Sequence, residues 1–173
     1  MMKHFPEQVD PFKFSKLGEN LVGKFELTRM KRLNESLGVG LDNGSNTVEF
    51  TLDFGKQDRA KVATGNFSAG VNMSCQRCLK PVAVAVRGEI HLEFVVGEEI
   101  EGRLEDLGYE TVVVVDESLS LLELIEDEVL LAIPFAPLHH KGECPGSSIV
   151  EKLQESDRPN PFAVLAKLKK DQE

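Results

Sequence analysis

The sequence predicts an α+β fold: an antiparallel, β-rich single domain covered by one long helix, with a mobile C-terminal tail that ends in a short helix. Apolar and polar residues alternate over 48–54 and 81–96, as in half-buried strands. Apolar residues recur at helical spacing over 118–133. The chain then turns polar, which divides it into a core domain, 1–140, and a linker with its helix, 141–173.

Strand-like segments make up most of the core domain. Residues 1–20 carry two prolines and a glycine and are expected to be irregular. Gly65 lies inside a predicted strand and marks a bulge or a place where another backbone approaches closely. Gly88 is expected to bend the longest strand. The run 111–115 is almost wholly apolar, which predicts a strand covered on both faces.

The long helix has one apolar face and one acidic face, and Pro134 ends it. The apolar face, predicted to pack on the sheet, consists of Leu121, Leu122, Ile125, Val129, Leu130 and Ile133. The acidic face consists of Glu123, Glu126, Asp127 and Glu128. We expect these carboxylates to be solvated, and therefore to keep ordinary pKa values and to play no catalytic part.

The charge of the chain is unevenly distributed. The net charge is -9, and residues 93–128 hold thirteen acids against the single base Arg103. An acidic lobe disfavours nucleic-acid binding through the whole surface but allows a local basic face. No apolar run reaches membrane-spanning length and no signal peptide is evident, so a cytoplasmic protein with no membrane partner is expected.

The cysteines predict a metal site. Cys75 and Cys78 are separated by two residues at the expected tip of a β-hairpin, where a tight turn points both sulfurs the same way. Cys144 is the third cysteine, and His139 precedes it in a loop-like stretch. Three thiolates and one imidazole are the ligands of a structural zinc site. His140 is the alternative fourth ligand.

Two other interpretations of the cysteines stay open. They are plain reduced thiols, or they form a redox pair, as in a zinc-dependent or thiol redox enzyme that uses Cys75 and Cys78. Thioredoxin-like pairs lie at the start of a helix, whose dipole lowers the thiol pKa. Here Pro81 and a β-branched alternation follow the pair, which favours the structural interpretation.

Two groups of basic residues are candidates for RNA binding through phosphate contacts. The first group, on or beside the cysteine turn, consists of Arg77, Lys80 and Arg87. The second group consists of Arg29, Lys31 and Arg32. If the two groups meet on one face, they form an RNA-binding patch away from the acidic lobe. Scattered solubilising charges are the alternative.

The tail contains a capped amphipathic segment. Asn160 is placed to cap a helix whose first position is Pro161, and Phe162, Leu165 and Leu168 share its apolar face. A helix this short is marginal alone in water, so it either docks on its own core or binds a partner. We predict a partner-binding helix, with a protein as the partner.

Three segments of the sequence resemble the YceD family, bacterial and plastid proteins implicated in the accumulation of large-subunit ribosomal RNA. The segments are 75–81, then 126–134 with its continuation to His139, and 159–169, and Cys144 also fits the family pattern. The resemblance implies a ribosome biogenesis factor that supports synthesis, processing or stability of 23S ribosomal RNA. Its expected partner is a ribosomal RNA precursor or a large-subunit ribosomal protein. It implies no known reaction, so neither a catalytic residue nor a small-molecule substrate is expected.

Overall fold

The computed structural model describes residues 6–37, 46–97, 107–140 and 142–145. Within these ranges the α-helices are α1, Pro11–Leu17; α2, Lys31–Leu37; and α3, Leu121–Ala132. A 3-10 turn covers Leu27–Arg29. The strands are β1, Gln8–Val9; β2, Asn20–Glu26; β3, Thr47–Gln57; β4, Ala60–Ser74; β5, Pro81–Val96; β6, Glu110–Val114; and β7, Leu119–Ser120. The predicted α+β class is confirmed.

Five strands form one sheet in the order β2-β3-β4-β5-β6, and β1 pairs with β7 in a separate ribbon. The pairs from β2 to β5 are antiparallel, as predicted. β6 instead runs parallel to β5, with Glu110 opposite Leu92 and Val114 opposite Val96. The connection 97–109 has about a dozen residues, which is long enough for a crossover between parallel strands. The sheet is therefore mixed rather than wholly antiparallel.

The strand β6 is not covered on both faces. Val114 is buried, but Val113 is 42% exposed and Val115, just beyond the strand, is 69% exposed. The prediction of a strand buried on both faces is therefore wrong. Only the face that carries Val112 and Val114 packs on the core, so the apolar run does not indicate a second covering layer.

One apolar cluster forms the core between the sheet and the helices. Alternate residues of β3, from Val48 to Phe54, point into it, as the alternation predicts. Ile125 and Val129 of α3 are fully buried in the same cluster. The predicted long helix is one of three α-helices in the described part of the chain, and all three contribute side chains to this core.

Two glycines mark close approaches inside the sheet. A Cβ atom on Gly65 would lie 1.9 Å from the carbonyl oxygen of Thr51, so only glycine fits there. Gly88 pairs with Phe67 on the neighbouring strand, and a Cβ atom would lie 2.5 Å from the Phe67 ring. The strand β5 continues through Gly88 with unbroken pairing to β4, and the missing side chain leaves room for the ring.

Residues 1–20 are not irregular throughout, because they contain α1. The Asp10 side chain caps this helix by accepting a hydrogen bond from the Lys13 N–H at 2.9 Å. Pro11 occupies the first turn, and Gly18 ends the helix in the left-handed conformation at φ 70°. An aspartate before the proline and a glycine after the helix are start and stop signals that the prediction overlooked.

The expectation that Glu126 is solvated is also wrong. Its side chain is buried on α3, where one oxygen, Oε1, accepts a hydrogen bond from the Leu33 N–H at 3.0 Å. The other, Oε2, accepts one from Nε of Arg32 at 3.3 Å. Leu33 lies in the first turn of α2, whose N–H groups have no partner within the helix. Glu126 therefore caps α2 from another element and fixes it to α3.

Candidate metal centre

The turn between β4 and β5 is closed by its own backbone. The Cys75 N–H donates to the Lys80 carbonyl at 2.9 Å, and the Leu79 N–H donates to the Cys75 carbonyl at 2.8 Å. Leu79 adopts φ 60°, in the left-handed region that leucine rarely visits. These constraints hold Cys75 and Cys78 on one tight turn at the end of the hairpin.

The chain after α3 brings the other two ligands to this turn. The Gln76 N–H donates to the Pro137 carbonyl at 2.9 Å. The Nε2 atom of His139 lies 3.0 Å from the Pro81 carbonyl, which accepts its hydrogen and leaves Nδ1 free to bind a metal. The segment that follows α3 is therefore tied to the hairpin tip by contacts on both sides of the turn.

Four side chains converge there: Cys75, Cys78, His139 and Cys144, with all ligand atoms within 4.8 Å of one another. The Sγ atoms of Cys75 and Cys144 are 4.0 Å apart, and Sγ of Cys78 is 3.4 Å from Nδ1 of His139. Zinc–sulfur bonds of about 2.3 Å in a tetrahedron place two sulfurs about 3.8 Å apart. The donor set and its spacing therefore fit a zinc ion.

The structure distinguishes between the two histidines considered as the fourth ligand. His139 belongs to the cluster, whereas the exposed His140 does not. Cys144 lies four residues past the predicted end of the core domain, so its place in the cluster fixes the beginning of the predicted linker to the hairpin tip.

The surroundings favour one ionised sulfur even without a metal. Burial opposes ionisation of Cys75, but hydrogen bonds from the backbone N–H groups of His139, Arg77 and Cys78 outweigh it and lower its pKa to about 5. Burial raises the pKa of Cys78, and the nearby sulfurs of Cys144 and Cys75 reinforce this effect. The hydrogen bond to Cys75 raises the pKa of His139 against the effect of burial.

This geometry suits a structural ion better than a catalytic one. Four protein ligands complete a tetrahedral zinc shell and leave no position for a substrate or water. Cys75 is 0% exposed and Cys144 is 5% exposed, so neither sulfur presents a surface to a reactant. The cluster can join chain segments that are far apart in the sequence, and that is the chemistry its geometry supports.

The structure spreads the first basic group along the hairpin. Arg77 and Lys80 lie on the cysteine turn and are exposed. Arg87 lies on β5 opposite Ser68 and is also exposed. Seven residues of extended strand separate Arg87 from Lys80, a distance of about 24 Å. Arg77 and Lys80 therefore form the compact end of this group.

Two members of the second basic group are engaged in ion pairs. Arg29 lies 2.7 Å from a carboxylate oxygen of Glu7. Arg32 pairs with Glu126 at 3.3 Å and with Asp127. The charges of both arginines are thus partly neutralised by acids of the same chain.

The acidic side of α3 differs from the expectation of ordinary, solvated carboxylates. Glu128 is half-buried, and burial together with the nearby carboxylates of Glu110 and Asp127 raises its pKa to about 7. The sequence gives no sign of this, because Glu110 belongs to a strand whose parallel pairing was not predicted.

Sequence reasoning also missed an exposed apolar patch, which we define as Leu131, Phe135 and Leu138. Phe135 is 101% exposed, and the patch lies between the last turn of α3 and His139. The available signal was Phe135, a large apolar residue held between Pro134 and Pro137, where regular helix is disfavoured.

The predicted tail helix and its partner-binding residues lie outside the described residues. Those residues are Asn160, Pro161, Phe162, Leu165 and Leu168. Among the helices that the structure describes, none combines the length and apolar character needed to cross a membrane.

Comparison with known proteins identifies the family. Residues 63–169 match the family described as "Large ribosomal RNA subunit accumulation protein YceD". A protein of that name from Haemophilus influenzae is 30% identical over 172 residues, covering 95% of each chain. No solved structure matches the chain significantly. The matched residues include the hairpin cysteines, α3, His139 and the tail segment, and the chain belongs to the YceD family.

Proposed function

We propose that this chain supports the accumulation of 23S ribosomal RNA by binding a large-subunit RNA precursor or ribosomal protein, without catalysing a reaction. Family membership supports the ribosomal role. The closed cluster of three cysteines and one histidine is the observation that favours binding, because it offers four ligands and no open coordination position. Such a factor would work in the cytoplasm, where bacterial ribosomes are assembled.

Zinc is the proposed ion, held by Cys75, Cys78, His139 and Cys144. Cys78 and His139 are 61 residues apart in the sequence, so the ion would close a long loop between the hairpin tip and the segment after α3. Its role would be to stabilise this end of the molecule and hold the exposed turn in one shape for binding.

The RNA contact is assigned to Arg77, Lys80 and Arg87. These three side chains are exposed on the hairpin, whereas in the second group Arg29 pairs with Glu7 and Arg32 with Glu126 and Asp127, and Lys31 is exposed. Binding of a 23S fragment should weaken in Arg77→Ala/Lys80→Ala, and the slope of log affinity against log salt should fall by about two. The control, Lys13→Ala/Lys16→Ala on α1, removes the same charge elsewhere. Equal weakening in both double variants would show that only net charge matters.

The alternative, a zinc-dependent or thiol redox enzyme using Cys75 and Cys78, has one observation in its favour. The pKa of Cys75 is lowered to about 5, as in reactive thiols. Reactive thiols are also accessible, however, and Cys75 is 0% exposed. The burial of Cys75 therefore favours the binding function.

The proposed function is tested in cells of the source organism. Deletion of the gene should lower the ratio of 23S to 16S ribosomal RNA, and the intact gene should restore it. The full chain recovered from these cells should carry large-subunit RNA or protein in nearly stoichiometric amounts, as expected of a binding factor. An unchanged ratio, or recovery with only trace ribosomal material, contradicts the proposal.

A further inference from the structure

Three large apolar side chains are exposed within eight residues at the end of α3. Phe135 is 101% exposed, Leu131 is 72% exposed and Leu138 is 46% exposed. Exposed apolar side chains that lie together mark a binding site more often than isolated ones do. Leu138 adjoins the metal ligand His139, so the patch begins at the metal centre and extends back along the chain to α3.

Acidic residues border this patch. Asp127 and Glu128 lie one turn before Leu131 on α3, so their side chains are its neighbours on the helix surface. Glu110 of β6 acts on the carboxylate of Glu128, and Arg32 pairs with Asp127. A segment that fits here presents apolar side chains together with positive charge.

The chain's own C-terminal segment has this chemistry. Phe162, Leu165 and Leu168 fall on one side of the predicted helix, and its end carries Lys167, Lys169 and Lys170. The last described residue is Pro145, directly after the ligand Cys144. The tail segment therefore begins at the metal centre, which Leu138 of the patch adjoins. Residues 146–159 would span about 20 Å as a flexible linker, enough to return to the patch.

We propose that the segment 160–170 docks reversibly on the patch formed by Leu131, Phe135 and Leu138. Tethering by a short linker places the segment at a millimolar effective concentration, so weak contacts suffice. The docking does not depend on which ribosomal component the protein binds. The same three apolar side chains of the tail are those proposed to bind a partner, so docking and partner binding exclude each other.

Photo-crosslinking of the purified full-length chain tests the docking. Phe135 is replaced with p-benzoylphenylalanine, and Val22, which is 68% exposed on the edge strand β2, is replaced in a control protein. Position 135 should crosslink to residues 160–170 within one chain, at a yield independent of protein concentration, and position 22 should not. Crosslinks that increase with concentration identify a second copy and overturn the proposal. Absent crosslinks, or equal yields from both positions, also overturn it.

A double-mutant cycle on the full chain gives a second measurement. Phe135→Ala and Leu165→Ala should each lower the melting temperature by about 2–4 °C, and the double variant should fall no further than the single variants. Val22→Ala combined with Leu165→Ala is the additive control. Single variants that leave the melting temperature unchanged, or additive losses at 135 and 165, contradict the docking.

Discussion

Two polar clusters hold distant parts of this chain together, and they differ in how they do it. The metal centre joins the hairpin tip to the segment after α3, with Cys75 and Cys144 69 residues apart. The buried carboxylate of Glu126 joins α3 to the start of α2, across 93 residues. The first offers four metal ligands, and the second relies on one carboxylate that accepts hydrogen bonds from two neighbouring residues.

The metal centre and the Glu126 cap differ in how well the sequence predicts them. The chain has three cysteines, and all three lie in the cluster, so a rare residue type pointed to its own site. Glu126 is one of 29 acidic residues, in a run of three acids on a helix. Its capping role depends on the placement of α2, about which the local sequence of α3 carries no information.

Loss of the metal centre should have the largest effect on stability. We expect one zinc per chain, and Cys78→Ser should lose it and lower the melting temperature by more than about 10 °C, because structural zinc binding contributes directly to folding. Elemental analysis of protein purified without chelator, followed by thermal unfolding, measures both quantities. The matched control is His140→Ala, next to the ligand but outside the cluster.

Two results would contradict the metal centre. One is wild-type protein with intact free thiols and far less than one equivalent of zinc. The other is a His140→Ala variant that loses zinc while His139→Ala retains it, since this would place the exposed histidine in the ligand set.

Removal of the Glu126 cap should have a smaller but clear effect. Glu126→Ala leaves the Leu33 N–H buried without its acceptor and should lower the free energy of unfolding by about 2–3 kcal/mol. Glu126→Gln keeps an acceptor oxygen and should lose less. Urea denaturation monitored by circular dichroism measures both variants.

The adjacent Asp127→Ala is the matched control for the cap. Asp127 also pairs with Arg32, but its side chain is 54% exposed, so the loss should stay below about 1 kcal/mol. If Asp127→Ala lowers the free energy of unfolding as much as Glu126→Ala does, then the stabilising contact is the ion pair with Arg32 rather than the cap.

The same distinction runs through the rest of the fold. The strands β3 and β5 follow from alternation, since a buried face imposes a period of two on the sequence. The parallel direction of β6 cannot be predicted from its sequence. An apolar run occurs in parallel and antiparallel strands alike, both inside a sheet and at its edge. The local sequence also does not show that the Phe67 ring, on another strand, leaves no room for a side chain at Gly88. Local signals specify elements, whereas pairing and caps depend on residues elsewhere in the chain.

The smallest predicted effect concerns the crowded carboxylates beside the Glu126 cap. Burial and the charges of Glu110 and Asp127 raise the pKa of Glu128 from 4.5 to about 7. Between these two values the folded state holds a proton that the unfolded state has released. The contribution of Glu128 to the free energy of unfolding should therefore be most favourable below pH 4.5. It should be lost as the pH rises to about 7.

Glu128→Gln should remove this loss. At pH 8 the variant should be more stable than the wild type by about 1 kcal/mol or less, because Glu128 is only half-buried and solvent screens its repulsion. At pH 4 to 5 the two proteins should have nearly equal stability. Urea denaturation at both pH values measures the difference, with Glu89→Gln on the exposed side of β5 as the control. A gain of the same size at both pH values, or in the control, would show that the crowding of Glu110, Asp127 and Glu128 does not destabilise the folded state.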